Sequence, residues 1–215
     1  MTIDSFMDIR NHGFVRVAVV VPKVRVGDPQ ENAENHLNEL RQAYAKGAYY
    51  AVCPELGLTG YTCGDLFHSR SLQAASESAL AYLAEATSDW DMVVTVGLPV
   101  RADQAVFNAA ATISEGRIVA ISPKTYLPEY REFYEMRYFA QAAEAKCETV
   151  TMCGQTVPFG PDILLEGRDP NVLIYPTICE DDWAPIPPSS RAALAGATVL
   201  ANLSASNIVI GKAKY

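Results

Sequence analysis

The stretch YYAVCPEL, residues 49–56, sets a short apolar run against a proline and then a glutamate. An apolar run of this length, closed by a breaker, reads as a strand buried on both faces. Glu55 therefore stands just past the carboxyl end of a strand. Two other stretches repeat the arrangement. RIVAISPK, residues 117–124, leads through Pro123 to Lys124, and VLIYPTIC, residues 172–179, closes on Cys179. In α/β sheets ligands bind outside the carboxyl ends of strands, where loops vary on a rigid support. A carboxylate, an ammonium and a thiol at three such ends predict one shared site.

The remaining sequence supplies the frame. FVRVAVVV (14–21) reads as a buried strand, and apolar positions from Asn32 to Lys46 recur at helical spacing. A second helical pattern runs through Leu72, Ala79 and Leu83, and DMVVTVGLPV (91–100) reads as a strand closed by its proline. This β-α-β-α-β order predicts parallel strands. AVFNAAATI and RIVAIS flank the turn SEG, and CETVTM and TVPFG flank CGQ, each pair reading as a hairpin. A loop is expected around EGRDPN, then a helix at SSRAALAGA and a last strand at TVLANLS. The whole is an α/β layered fold around a mixed sheet. No linker or repeat divides it, so residues 1–215 are read as one domain. NIVIGKAKY (207–215) follows the last strand without a capping helix, so the domain is expected to be C-terminally incomplete.

Of the 215 residues, 49% are hydrophobic and 20% charged, an ordinary globular balance. The net charge of -8 argues against a nucleic-acid footprint, which needs a surplus of Lys and Arg. No early apolar run is long enough for a bilayer or a secretory leader, so neither a membrane partner nor export is expected, and a cytoplasmic protein is. The five cysteines are odd in number and scattered, unlike a disulfide framework, and with the three histidines they lack paired metal-ligand spacing.

A catalytic cysteine usually takes its base from histidine. His12 precedes the first strand, His36 lies within a helix pattern and His68 falls in a loop, so none shares the address of the three residues. Glu55 is left as the proton acceptor, its pKa raised by partial desolvation. A nearby Lys124 would favour a thiolate or a developing oxyanion. The acids that follow Cys179 need not oppose the thiolate if they turn away or serve another ligand group.

CPELGLTGY, PKTYLPEYREFYEMRYF and ICEDDW resemble the carbon-nitrogen hydrolase (nitrilase) superfamily, and the resemblance implies an αββα sandwich with Glu55, Lys124 and Cys179 as its catalytic triad. GFVRVA, GYTCGDLF, KTYLPEYREFYE and NLSASNIVIGK are similar, more narrowly, to the N-terminal glutaminase domains of bacterial glutamine-dependent NAD(+) synthetases. That similarity runs from about Gly13 to the end and implies hydrolysis of L-glutamine through a thioester on Cys179. Glu55 would shuttle protons, and Lys124 with the N–H after Cys179 would hold the oxyanion. Tyr61, Glu135, Glu180, Ser206 and the backbone at Phe133 would line the glutamine pocket, with Tyr130 near the mouth of an ammonia tunnel. Lys212 stands where some relatives carry arginine. The resemblance implies a homo-oligomer, no cofactor for the glutaminase step, and ATP and Mg for a synthetase domain elsewhere. No Ser-Gly-Gly-x-Asp-Ser phosphate loop occurs here, so this chain alone is not expected to make NAD. The alternatives are a stand-alone amidase or nitrilase of the superfamily acting on another small amide, and a non-catalytic assembly fragment.

Overall fold

The computed structural model describes residues 6–214, without the side chain of Ala213. Ten strands are described: β1 (Val17–Val19), β2 (Tyr50–Val52), β3 (Val93–Ala102), β4 (Ala105–Ser114), β5 (Arg117–Pro123), β6 (Thr149–Met152), β7 (Gln155–Pro158), β8 (Leu165–Arg168), β9 (Asn171–Ile178) and β10 (Val199–Leu203). Among the described residues three complete α-helices accompany them: α1 (Pro29–Ala45), α2 (Arg70–Ala86) and α3 (Pro188–Leu194). Helix α1 starts where its cap chemistry dictates, with the Asp28 carboxylate accepting from Glu31 N at 3.2 Å and Pro29 in the first turn.

The strands form a five-stranded sheet in order β1-β2-β3-β4-β5, a three-stranded sheet β10-β9-β8, and the hairpin β6-β7. The crossovers through α1 and α2 make β1, β2 and β3 parallel, whereas β3, β4 and β5 are joined by tight turns and run antiparallel. Leu37, Leu40, Leu80 and Leu83 of α1 and α2 bury against Val94, Val96 and Leu98 of β3. Between the sheets, Tyr50, Val52 and Ala110 meet Val172, Ile174, Ile178, Ala201 and Leu203. With α3 against β9, the layers are helix, sheet, sheet, helix. The single mixed sheet of the residue pattern is thus two stacked sheets, as the αββα resemblance implies.

Three local readings need correction. FVRVAVVV is not a fully buried strand: β1 covers only Val17–Val19 at the edge of the five-stranded sheet, and Val17 and Val19 are exposed. Strand β3 does not stop at Pro99; it continues to Ala102, with Pro99 opposite Asn108 of β4. Strand β2 pairs only with Val93–Thr95, so Pro99 has a free side where its missing N–H costs no ladder bond. The stretch around EGRDPN is not all loop, because residues 165–168 form β8 against β9. LEGR shows no apolar alternation and is held by main-chain pairing.

Gly97 of β3 shows how the sheet places Glu55. A Cβ there would lie 2.4 Å from Leu56 N and 2.5 Å from Pro54 O, so the Glu55 loop rests on bare backbone. The Gly97 carbonyl also accepts from Leu58 N at 3.1 Å. Gly97→Ala is expected to push this loop off the sheet, at a cost of about 1–3 kcal/mol in stability. Under the activity that the resemblance implies, the displacement of Glu55 should lower turnover by on the order of 10²-fold. Thermal unfolding and a rate assay on the same preparation check both effects.

Candidate active site

Glu55, Lys124 and Cys179 come together at the strand ends. Lys124 follows β5, its side chain 1% exposed, and its Nζ donates to Glu55 Oε1 at 2.6 Å and to Glu135 Oε1 at 2.7 Å and Oε2 at 2.9 Å. Glu55 and Glu135 are both buried. Asn108 Nδ2 donates to Glu55 Oε1 at 2.7 Å, Tyr61 Oη to Glu135 Oε1 at 2.6 Å, and Ala205 N to Glu55 Oε2 at 3.0 Å. Cys179 follows β9 with φ at +44°, in the left-handed region where a non-glycine residue is strained, a condition that concentrates at functional sites. Its sulfur accepts from Ser204 Oγ at 3.6 Å and lies within the field of Glu55, Lys124 and Glu135.

Two carboxylates share one ammonium, so the buried cluster carries an excess negative charge. Burial raises the Glu55 pKa, and Glu135 adds to the rise, which Lys124 and Asn108 only partly oppose. Burial also works against the Lys124 ammonium, but Glu55 and Glu135 outweigh it and hold the side chain charged. Burial and then Glu55 push the Cys179 thiol up to about 11, against the opposite pull of Lys124. Lys124 thus pulls the thiol toward its thiolate, as expected, but burial and the Glu55 charge outweigh that pull, because the ammonium is shared between two acids.

The acids after Cys179 have separate tasks. Asp181 is buried, and its carboxylate accepts from Thr125 N at 2.9 Å, Tyr126 N at 2.8 Å and Ile178 N at 3.0 Å. It fastens the segment after Lys124 to the turn that carries Cys179. Burial sets its pKa up to about 6, against those three bonds. Glu180 turns the other way and accepts from Tyr130 Oη at 2.8 Å.

Tyr61, Phe133 and Glu135 line a cleft of about 200 Å³, with Tyr61 and Phe133 edge to face at 6.4 Å. Tyr130 and Glu180 border a second groove, with Tyr126, Trp183 and Ile186. Ser206 and Lys212 are exposed and pair with each other, Lys212 also donating to the Asn207 carbonyl at 3.0 Å. They are not hydrogen-bonded to the triad. None of the histidines enters the site; His36 is buried in α1 with Nδ1 2.6 Å from the Asn32 carbonyl. The residue pattern did not single out Asn108, Asp181, Ser204 or Ala205. Among the described residues no group of three or more His, Cys, Asp or Glu could hold a metal ion, and no helix is long and apolar enough to cross a membrane.

An αββα frame that gathers a carboxylate, an ammonium and a thiol at its strand ends defines a nitrilase-like class. The carbon-nitrogen hydrolase family model matches residues 16–214, and the chain belongs to that family. It is 43% identical over 211 residues to a glutamine-dependent NAD(+) synthetase of Mycobacterium tuberculosis, covering 98% of this chain and 31% of that protein. The corresponding protein of Thermotoga maritima is 32% identical over 199 residues, again covering 31% of its length. The chain thus spans about a third of these relatives. Among solved structures, a glutamine-dependent NAD(+) synthetase from Cytophaga hutchinsonii superimposes with a TM-score of 0.78 at 27% identity, over 93% of this chain and 32% of the other. An amidase from Nesterenkonia sp. shares the fold, with a TM-score of 0.69 at 19% identity over 93% of this chain and 68% of its own.

Proposed function

We propose that this chain is a glutaminase unit, which hydrolyses the side-chain amide of L-glutamine through a thioester on Cys179. The ammonia serves ATP-dependent amidation of deamido-NAD by a synthetase domain elsewhere in the full-length protein. The observation that carries the reading is the buried Glu55–Lys124–Glu135 cluster beside the Cys179 sulfur. ATP and Mg belong to the amidation step, and no residue here is assigned to them.

Cys179 attacks the amide carbon as Glu55 takes the thiol proton, so the costly thiolate never has to exist free. The negative charge that develops on the amide oxygen is met by Lys124 and the N–H after Cys179. Glu55 passes its proton to the departing nitrogen, then draws one from the water that frees glutamate and returns it to the Cys179 sulfur as the thioester C–S bond breaks. Glu135 holds Lys124 in place, and Tyr61 holds Glu135. Glu180, beside the nucleophile and already polar through Tyr130, suits the substrate's ammonium, a charge-assisted contact. Tyr61 and Phe133 form the pocket wall.

Ammonia and glutamate release from L-glutamine by the full-length protein, set beside L-asparagine and simple aliphatic amides, tests the substrate. Equimolar products with a clear preference for glutamine are expected; faster turnover of a simple amide overturns the assignment. The pH dependence follows from Glu55. It must be ionised to accept the thiol proton, and its pKa lies above the ordinary 4.5, so kcat/KM should fall with pH on an acid limb above that value. A limb at or below the ordinary carboxylate value contradicts the role given to Glu55.

A further inference from the structure

The two oxygens of Glu55 are used unequally. Oε1 accepts from Lys124 Nζ at 2.6 Å and from Asn108 Nδ2 at 2.7 Å, which fills the two lone pairs a carboxylate oxygen offers. Among the described residues Oε2 accepts from Ala205 N, at 3.0 Å, which leaves one lone pair open. Ser204, the residue before Ala205, donates to Cys179 Sγ at 3.6 Å. Adjacent residues therefore touch Oε2 and the sulfur, and Oε2 is the oxygen with an acceptor site to spare.

Asn108 is fully buried in the middle of β4. Its main-chain carbonyl accepts from Lys124 N at 2.8 Å, while its side-chain Nδ2 holds the glutamate head, so one residue meets both the lysine backbone and Glu55. Its Nδ2 also lies 3.5 Å from Glu135 Oε2. The groups that face Glu55 are thus Lys124, Glu135, Asn108, the Ala205 N–H, and, at longer range, Tyr61 and Cys179.

We propose that Asn108 is a positioning residue for proton transfer: it occupies the second acceptor site of Glu55 Oε1 and so reserves Oε2 for the proton of Cys179. As the sulfur bonds to the amide carbon, the S–H proton passes to Oε2 and the carbonyl π pair moves onto oxygen. When that pair returns, the C–N bond breaks and the same proton leaves Oε2 for nitrogen. Ammonia departs, the thioester remains, and Glu55 is a carboxylate again. The inference rests on the thiol chemistry proposed for this site.

Its test is the pH profile of Cys179 alkylation by iodoacetamide, followed by peptide mass spectrometry, in full-length wild type, Asn108→Ala and Asn108→Asp. Alkylation needs no amide substrate, so it reads the proton acceptor independently of the glutamine assignment. Alanine removes the donor in a strand that already carries Ala109, Ala110 and Ala111, and aspartate is isosteric. Loss of the hydrogen bond should move the acid limb up by about half a pH unit to one unit in Asn108→Ala, and further in Asn108→Asp, where a like charge is added. Glutamine kcat near neutral pH should fall about tenfold in Asn108→Ala, with KM within about twofold. An acid limb unmoved in both variants overturns the role of Asn108. So does failure of both to fold, which would make Asn108 a core residue rather than a positioning one. A shifted limb in protein that releases no glutamate from glutamine overturns the substrate assignment instead and leaves Asn108 in place.

Discussion

Cys179→Ala is expected to lower glutamine hydrolysis by on the order of 10⁴-fold or more, because no other group can form the acyl intermediate. Cys53 is buried in the helix-facing core, Cys63 donates to the Thr59 carbonyl, and Cys147 and Cys153 lie at the β6-β7 hairpin, so none can substitute. The fold should be nearly unaffected. The Cys179 side chain packs only partly against the inter-sheet core, and its loss leaves the Glu55–Lys124–Glu135 bonds intact. A thermal midpoint within a few degrees of wild type, together with glutamate release at the background level, is the expected pair of results. Substantial residual turnover would mean that the thiol is not the nucleophile.

Lys124→Met should damage both stability and activity. The ammonium sits between two buried carboxylates, and its removal leaves them, among the described residues, without a counter-charge and held only by the neutral donors Asn108, Ala205 N and Tyr61. Breaking a buried pair in this way costs about 3–5 kcal/mol, and the loss of the oxyanion donor proposed above should cost a further 10²–10³-fold or so in kcat. The stability deficit has a defined pH sense. Without Lys124 the Glu55 carboxylate, already raised by burial, is driven further toward its protonated form, so the variant binds this proton more readily folded than unfolded, and the deficit shrinks as pH falls. Thermal unfolding at about pH 8 and about pH 5 checks this; a deficit that grows toward acid pH contradicts the ion-pair account.

The shared strand-end address of Glu55, Lys124 and Cys179 was legible because punctuation marked it. Glu55 and Lys124 each follow a proline that closes an apolar run, and Cys179 closes a run directly. The parallel β1-β2-β3 core was legible for the same reason, through alternating strand and helix patterns. Glu135 was not derivable from spacing: it lies in a long aromatic loop whose path only the folded chain decides, and the family resemblance supplied it. Asn108 left a signal in AVFNAAATI, a lone amide inside an apolar strand, which must find a partner when buried. Asp181 left none, since three consecutive acids look alike until the turn sets which of them faces inward. Strand β8 and the continuation of β3 through Pro99 are both held by main-chain pairing, to which side-chain patterns are blind.

The central claim is that the Cys179 sulfur forms the bond to the substrate carbon. The diazo ketone analogue of L-glutamine places an electrophilic group where the amide stands, and mass spectrometry of the labelled full-length protein locates the bond. Stoichiometric label on Cys179, blocked by glutamine and slowed in Glu55→Gln, is the result this account predicts. Label on Cys53, Cys63, Cys147 or Cys153 instead, or an unlabelled Cys179 in protein that still turns over glutamine, would contradict it.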